Sequence, residues 1–204
     1  MTREPPPAKL RILAAAEQLV AEQGFDAVST RDIVARAQVN IAAVNYYFGS
    51  KQSLLLEIFA TRAAELNRER ATLLARVIDK RPDDVRAIMH ALFQPTILWN
   101  SEERRLALRF LNRARREGPL EVRETIRTDV RHLYRFVDAL ANALPQMPHE
   151  ELLWRFHFAL GALHHNQPGD YERLIVLSDG ACRPDDQQRL LDHLLDFVAR
   201  GFGV

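Results

Sequence analysis

Apolar residues recur at helical spacing along nearly the whole chain. Ile12, Ala16, Leu19 and Val20 share one side of a helix over Ala8–Gln23, which Gly24 stops. Ile33, Val34 and Ala37 mark a short second helix, capped by Ser29 and with Asp32 in a first turn that favours an acid. Gln38-Val39-Asn40 reads as a turn, with Val39 buried and Asn40 as the next cap. The helix that follows, Ile41 to Tyr47, is only about two turns long, with Val44 and Phe48 pointing inward and Gly49 ending it. Ser50 caps a long helix from Lys51 to about Lys80, carrying Leu54, Leu55, Ile58, Phe59, Leu66, Leu73 and Val77. Further helices are predicted over Asp83–Trp99 with a kink at Pro95, Glu102–Glu117 behind Ser101, Leu120–Leu144, Glu150–Asn166 and Pro184–Phe202. Gln167–Cys182 is ambiguous, with one short helix fitting around Tyr171–Leu177. Three consecutive prolines make Met1–Pro7 an arm outside any helix. No strand alternation appears from Arg81 on, so the expected fold class is all-α.

The outward side of the two-turn helix departs from an ordinary solvated surface. It carries Ile41, Ala42, Ala43, Asn45, Tyr46 and Tyr47, without a single charge. Small residues, an amide and two phenols suit a helix set into the DNA major groove. Alanine and isoleucine touch thymine methyls, asparagine pairs with an adenine edge, and tyrosine hydroxyls reach phosphates. Thr30, Arg31 and the capping Asn40 precede this helix and Lys51 follows it, supplying anchoring groups. A plain helical hairpin with an apolar partner is the alternative reading.

The stretch Ser29–Lys51, STRDIVARAQVNIAAVNYYFGSK, resembles the helix-turn-helix of TetR-family transcriptional repressors. The run Ile12–Glu17 through Gly24-Phe25 is similar to that family's first helix and its exit, and the match continues to about Phe59. The resemblance implies that Thr30, Arg31, Ile41, Ala42, Ala43, Asn45, Tyr46, Tyr47 and Lys51 face DNA. One departure is Gln38, where many members carry glycine before the turn valine. The expected organisation is a helix-turn-helix head over 1–50, then a helical effector-binding and dimerisation domain over 51–204.

Charge narrows the mode of binding. The chain has 204 residues and a net charge of only +1. Over residues 1–51, Arg3, Lys9, Arg11, Arg31, Arg36 and Lys51 oppose five acids. That balance argues against indiscriminate coating of nucleic acid and leaves affinity to a few placed contacts. Lys9 and Arg11 are equally readable as phosphate contacts and as solvated charges. A single cysteine, Cys182, excludes an intrachain disulfide and points to the cytoplasm. The N-terminus has no secretory pattern. The longest charge-free stretches, Ile88–Ser101 and Phe156–Gly169, fall short of the roughly 20 residues that a membrane span needs.

The last two long helices each carry a broad apolar side. Phe156, Leu160 and Leu163 with Leu191, Leu194, Leu195 and Val198 are the candidate homodimer interface, with Ala159, Gly161 and Ala162 permitting close approach. The alternative is that both are core helices of a monomer. Dimerisation also serves the function, because a two-turn helix contacts few bases and paired helices lie about 34–36 Å apart on DNA. The middle helices mix bulky apolar and polar groups, with His90, Phe93, Trp99, Arg109, Phe110, Arg113, Phe136 and His157 the candidate ligand residues; a plain helical core is the alternative. Leu153–Ala162 and Asn40–Tyr46 resemble the fatty-acid-responsive branch of the family, which implies a fatty acid or acyl derivative as effector.

Other chemistry finds little support. Arg104, Arg105, Arg109, Arg113, Arg115 and Arg116 read as a solvated face paired with Glu102, Glu103 and Glu117. His157, His164 and His165 lack a carboxylate or cysteine at ligand spacing, so neither metal nor cofactor is expected. A phosphate loop, a G-x-S-x-G elbow and an H-E-x-x-H motif are all missing, so the chain is not read as an enzyme. The expected function is a ligand-responsive, homodimeric repressor released from a pseudo-palindromic double-stranded operator by a small apolar effector. The rival is an all-helical protein–protein adaptor.

Overall fold

Side-chain caps set the helix starts that matter most here. Ser29 opens α2 (Thr30–Ala37) with a full capping box: its hydroxyl accepts from the Asp32 N–H at 3.2 Å, and Asp32 Oδ2 accepts from the Ser29 N–H at 2.8 Å. Asn40 opens α3 (Ile41–Phe48), its Oδ1 accepting from the Ala42 N–H at 2.9 Å. Around them the computed structural model describes residues 7–128, 130–165 and 171–204. The remaining helices are α1 (Ala8–Gln23), α4 (Lys51–Lys80), α5 (Val85–Leu98), α6 (Glu102–Glu117), α7 (Leu120–Thr128), α8 (Arg131–Ala143), α9 (His149–His164), α10 (Glu172–Leu177) and α11 (Gln187–Phe202). No strand occurs among the described residues, and none of their helices is long and apolar enough to cross a membrane. The proline arm, apart from Pro7, and the expected helix end at Asn166 lie outside the described residues.

The chain divides into two units. The first comprises the chain up to Leu66 together with Asn100–Val130; the second comprises Asn67–Trp99 and Arg131–Val204. The expected boundary at 50/51 therefore gives way to an interleaved one. Its cause is packing: Phe110, Ala114 and Val122 join Ile12, Val20, Phe25, Ile33, Val44, Leu54 and Leu55 in one core. The Phe25 and Phe110 rings lie 5.7 Å apart, tilted by 42°.

The first unit is also stapled by charge. Arg62 donates Nε to Glu17 Oε1 at 2.6 Å and Nη2 to Oε2 at 2.8 Å, while Nη1 meets Glu65 and Glu103, each at 3.1 Å. These carboxylates, Glu17 first, hold the guanidinium more firmly protonated than usual. Glu103 thus pairs with α4 rather than with the α6 arginines, whereas Arg113 does meet Glu117 at 3.1 Å as expected. Gly118 follows α6 because a Cβ there would sit 2.4 Å from the Ala114 carbonyl oxygen.

The second unit buries Ile88, Leu92, Phe93, Phe136, Leu140, Leu152, Phe156, Leu163, Leu191, Leu195, Val198 and Phe202 between α5, α8, α9 and α11. Pro95 sits inside α5 and deprives Ala91 of its helical donor. Buried Arg70 reaches this stretch of α5, donating Nε to the Leu92 carbonyl at 2.9 Å, Nη2 to Thr96 Oγ1 at 2.6 Å and Nη1 to Asn67 Oδ1 at 3.2 Å. The single helix expected over Leu120–Leu144 is two, α7 and α8. The break follows a run of β-branched and short polar residues, where the Thr125 and Thr128 hydroxyls donate back to the Glu121 and Glu124 carbonyls.

Candidate nucleic-acid interface

The turn between α2 and α3 is closed by Gln38, which adopts a left-handed conformation (φ 53°, ψ 50°). Val39 donates its N–H to the Val34 carbonyl at 3.1 Å and half-buries its side chain against the head core. Glycine holds this conformation without the Cβ clash, so the chain ends α2 here under strain. The direction of α3 then follows from its own pattern. Val44 and Phe48 are buried, while Ile41, Ala42, Asn45, Tyr46 and Tyr47 are exposed and Ala43 is half-buried. Tyr46 is 83% exposed, and its ring meets Tyr47 edge-on at 5.0 Å. An exposed helical face bearing two phenols, an amide and three aliphatic groups, with no charge, costs hydration unless something covers it.

The anchoring groups divide. Arg31 is exposed and Thr30 half-buried at the start of α2. Asn40 spends its carbonyl oxygen as a helix cap. Lys51 behaves differently from the expectation: its ammonium donates to the Phe25 carbonyl at 2.9 Å and also to the Val28 carbonyl. Two of its three N–H groups thus tie the α1–α2 connection, which leaves it a structural clamp more than a phosphate contact. Lys9 and Arg11 also have partners within the unit, Lys9 in a surface pair with Glu57 at 2.9 Å and Arg11 on the Ala37 carbonyl at 3.0 Å. Asp32 is the one group of this surface with a displaced pKa, held below the usual carboxylate range first by the Ser29 hydroxyl and then by the Ser29 N–H.

The eight candidate ligand residues do not form one set. Phe110 belongs to the core of the first unit, and Arg113 there donates Nε to the Ala21 carbonyl at 3.2 Å. Arg109 is exposed on the same helix. Phe93, Phe136 and Trp99 are buried in the second unit, where the Trp99 indole donates to Glu69 Oε2 at 2.8 Å. His90 is half-buried there, and burial, then the charge of Arg86, lowers its pKa. His157 is exposed on α9. The sequence pattern did not single out buried Arg70 or the half-buried Asn67, Thr96 and Glu69 at the edge of this largely apolar interior. Two open clefts in the second unit, of about 470 and 490 Å³, are lined by other residues. Among the described residues no group of three potential metal ligands occurs.

The candidate dimer residues are corrected outright. Phe156, Leu163, Leu191, Leu194, Leu195 and Val198 are all at most 8% exposed, and Leu160 packs against them, because α9 and α11 turn those stripes into their own protomer. The apolar residues left outside are Leu153 (43%), Trp154 (56%) and Phe158 (65%) on α9, and Phe197 (69%) on α11. Trp154 stacks on Phe158 at 5.8 Å, and His157 meets both rings edge-on. A Cβ at Gly161 or Gly201 would meet nothing within 4 Å. The signal was present in the sequence: Trp154 and Phe158 fall off the 152/156/159/163 stripe that defines the inward face.

Comparison with known proteins agrees with this architecture. Residues 12–58 match the family described as "Bacterial regulatory proteins, tetR family", and residues 90–201 match "Tetracyclin repressor-like, C-terminal domain". The HTH-type transcriptional regulator BetI of Agrobacterium fabrum is 35% identical over 83 residues, 41% of this chain and 40% of that protein. The matched stretch thus spans well under half of that curated relative. A TetR-like transcriptional regulator from Rhodococcus sp. RHA1 shares the fold with a TM-score of 0.63 at 17% identity, over 98% of this chain and 99% of that one. The fatty acid degradation regulator FadR of Bacillus halodurans does so with a TM-score of 0.61 at 17% identity, over 96% of each chain. With its head matched and more than half of its length covered by the second match, the chain belongs to the TetR family of DNA-binding transcriptional regulators, and is not an enzyme.

Proposed function

We propose that this chain is a cytoplasmic, homodimeric repressor that leaves a pseudo-palindromic operator when a small apolar effector binds. The observation that carries the reading is the exposed, uncharged face of α3, with Ile41, Ala42, Asn45, Tyr46 and Tyr47 turned outward from a capped, rigid helix. Arg31 and Thr30 at the start of α2 serve the backbone, and the α3 residues serve the base edges. Two copies place two such helices one duplex turn apart, through the exposed aromatics of α9 and α11 rather than the buried leucines. In the second unit, Phe93, Phe136 and Trp99 offer an apolar surround, and Arg70, Asn67, Thr96 and Glu69 offer polar groups for an effector's polar end. The choice of a fatty acid or acyl derivative rests on the resemblance of Leu153–Ala162 and Asn40–Tyr46, and the Bacillus halodurans neighbour is named for fatty acid degradation. An effector shifts the DNA-bound population only by its unequal affinity for the two states.

Band shifts with a pool of random duplexes, followed by sequencing of the bound fraction, test this reading. The expected product is a two-fold symmetric site, released by palmitate or palmitoyl-CoA. Recovery of no symmetric sequence would sink it, and release by neither probe would remove the acyl effector alone.

A further inference from the structure

We infer that α10 is a second contact element between two copies of this chain. Its last four residues, Leu174, Ile175, Val176 and Leu177, are consecutive aliphatics, and none is buried. Successive helical residues point about 100° apart, so the four cover nearly the whole circumference. Leu174 and Ile175 are 42% and 41% exposed, while Val176 and Leu177 stand at 79% and 78%. Aliphatics spread round a helix in this way belong in an interior, and the described residues of this protomer bury none of them.

The element is held in shape rather than frayed. Gly180 donates to the Ile175 carbonyl at 2.9 Å, Ser178 to Leu174 at 3.0 Å, and the Ser178 hydroxyl accepts from the Cys182 N–H at 3.1 Å. Asp179 and Gly180 both take positive φ to close the end. The aliphatic side chains are therefore presented at fixed positions.

The occupant follows from area. The inference rests on the dimer proposed above, whose α9 and α11 face exposes Trp154, Phe158 and Phe197 at 56–69%. Rings of that size carry roughly 200 Å² each, so they offer on the order of 400 Å² per protomer. A standard stable interface buries about 800 Å² per partner. The aliphatics of α10 lie in the chain between those two helices and add a comparable apolar surface. A two-fold axis applies every contact twice, so α10 of each protomer meets the exposed aromatic face of the other.

Sedimentation equilibrium of the full chain tests this with three proteins: wild type, Phe158→Glu and the double variant Val176→Asp/Leu177→Asp. The α10 side chains are exposed in the protomer, so circular dichroism should show all three folded alike. The expected result is a dimer Kd at least tenfold weaker in the double variant. Hydrogen exchange at residues 174–177 should be protected in wild type and lost in Phe158→Glu. If Phe158→Glu dissociates the dimer while the double variant stays within twofold of wild type, the dimer stands and the α10 inference falls. A wild type that is monomeric at micromolar concentration overturns both. A double variant that keeps the dimer but loses palmitate, or binding to phosphatidylglycerol vesicles, assigns α10 to that occupant and overturns the inference.

Discussion

Arg62 on α4 grips both carboxylate oxygens of Glu17 on α1, at 2.6 and 2.8 Å. Glu17 is 5% exposed, and the bidentate fork leaves little slack between the two helices. Removing Glu17 takes away both strong hydrogen bonds but leaves a half-buried guanidinium that keeps Glu65 and Glu103, so the cost is about 1–3 kcal/mol. Glu17→Ala is therefore expected to lower stability by roughly that amount in urea unfolding. Arg62→Lys should not restore the contact, because an ammonium lacks the planar pair of parallel N–H donors that matches both carboxylate oxygens.

Lys51 separates a clamp from a phosphate contact. Its ammonium donates to the Phe25 and Val28 carbonyls, so Lys51→Met should cost about 1–3 kcal/mol of stability. The slope of log affinity against log salt should stay where it was. Arg31→Ala is the control: its side chain is exposed, and its loss should flatten that slope by about one unit without lowering the melting temperature. A flattened slope in Lys51→Met restores the phosphate role.

Gln38 occupies a left-handed position at φ 53°. An ordinary residue there gives up roughly 1 kcal/mol, partly offset by the larger chain entropy that glycine loses on folding. Gln38→Gly should raise stability by about 0.5 kcal/mol, read as a higher urea midpoint at constant slope. A lower midpoint would mean that the glutamine side chain contributes more than its backbone costs.

The head was legible because its information is local. Ser29, Asp32, Asn40 and Gly49 mark helix ends within a few residues of where they act, and Val44 and Phe48 set the rotation of α3 from spacing alone. What spacing cannot give is the partner of an apolar stripe. Phe110 and Val122 read as effector-domain residues, yet they close the core around Phe25, some 85–97 residues away in the chain. Leu191 and Leu195 were correctly apolar, but their stripe faces α5 and α9 of the same protomer rather than a second copy. The inward ammonium of Lys51 also depends on carbonyls brought near by tertiary packing, which no side-chain pattern records.

Asp32 gives the head an acid-sensitive cap. Its pKa lies below the usual carboxylate range because the Ser29 hydroxyl and N–H both donate to the carboxylate. A depressed folded-state pKa stabilises the fold above the unfolded value and loses that contribution as pH falls through the folded value. The window therefore lies below about pH 4. Ser29→Ala should move the Asp32 titration, followed by carbonyl NMR, up toward the ordinary range, with the backbone N–H of residue 29 still holding part of the shift. An unchanged titration would show that the hydroxyl is not the cause.

The roles assigned on α3 divide into reading and holding, and the two respond differently to sequence. Asn45 and Ala42 are exposed on one side of the helix, at positions three apart that share a face. If they meet base edges, Asn45→Ala should cost about 1–3 kcal/mol on the selected operator and almost nothing on random duplex. Ala42→Val should likewise redistribute base preference rather than lower affinity everywhere. Tyr47→Phe removes one hydroxyl and keeps the ring against Phe48, 6.2 Å away, so the helix keeps its seat. A phosphate partner lost there should weaken operator and random DNA by the same factor. Competition band shifts at fixed salt give both ratios in one experiment. Equal losses on operator and random DNA for Asn45→Ala would take the base-reading role away from this face.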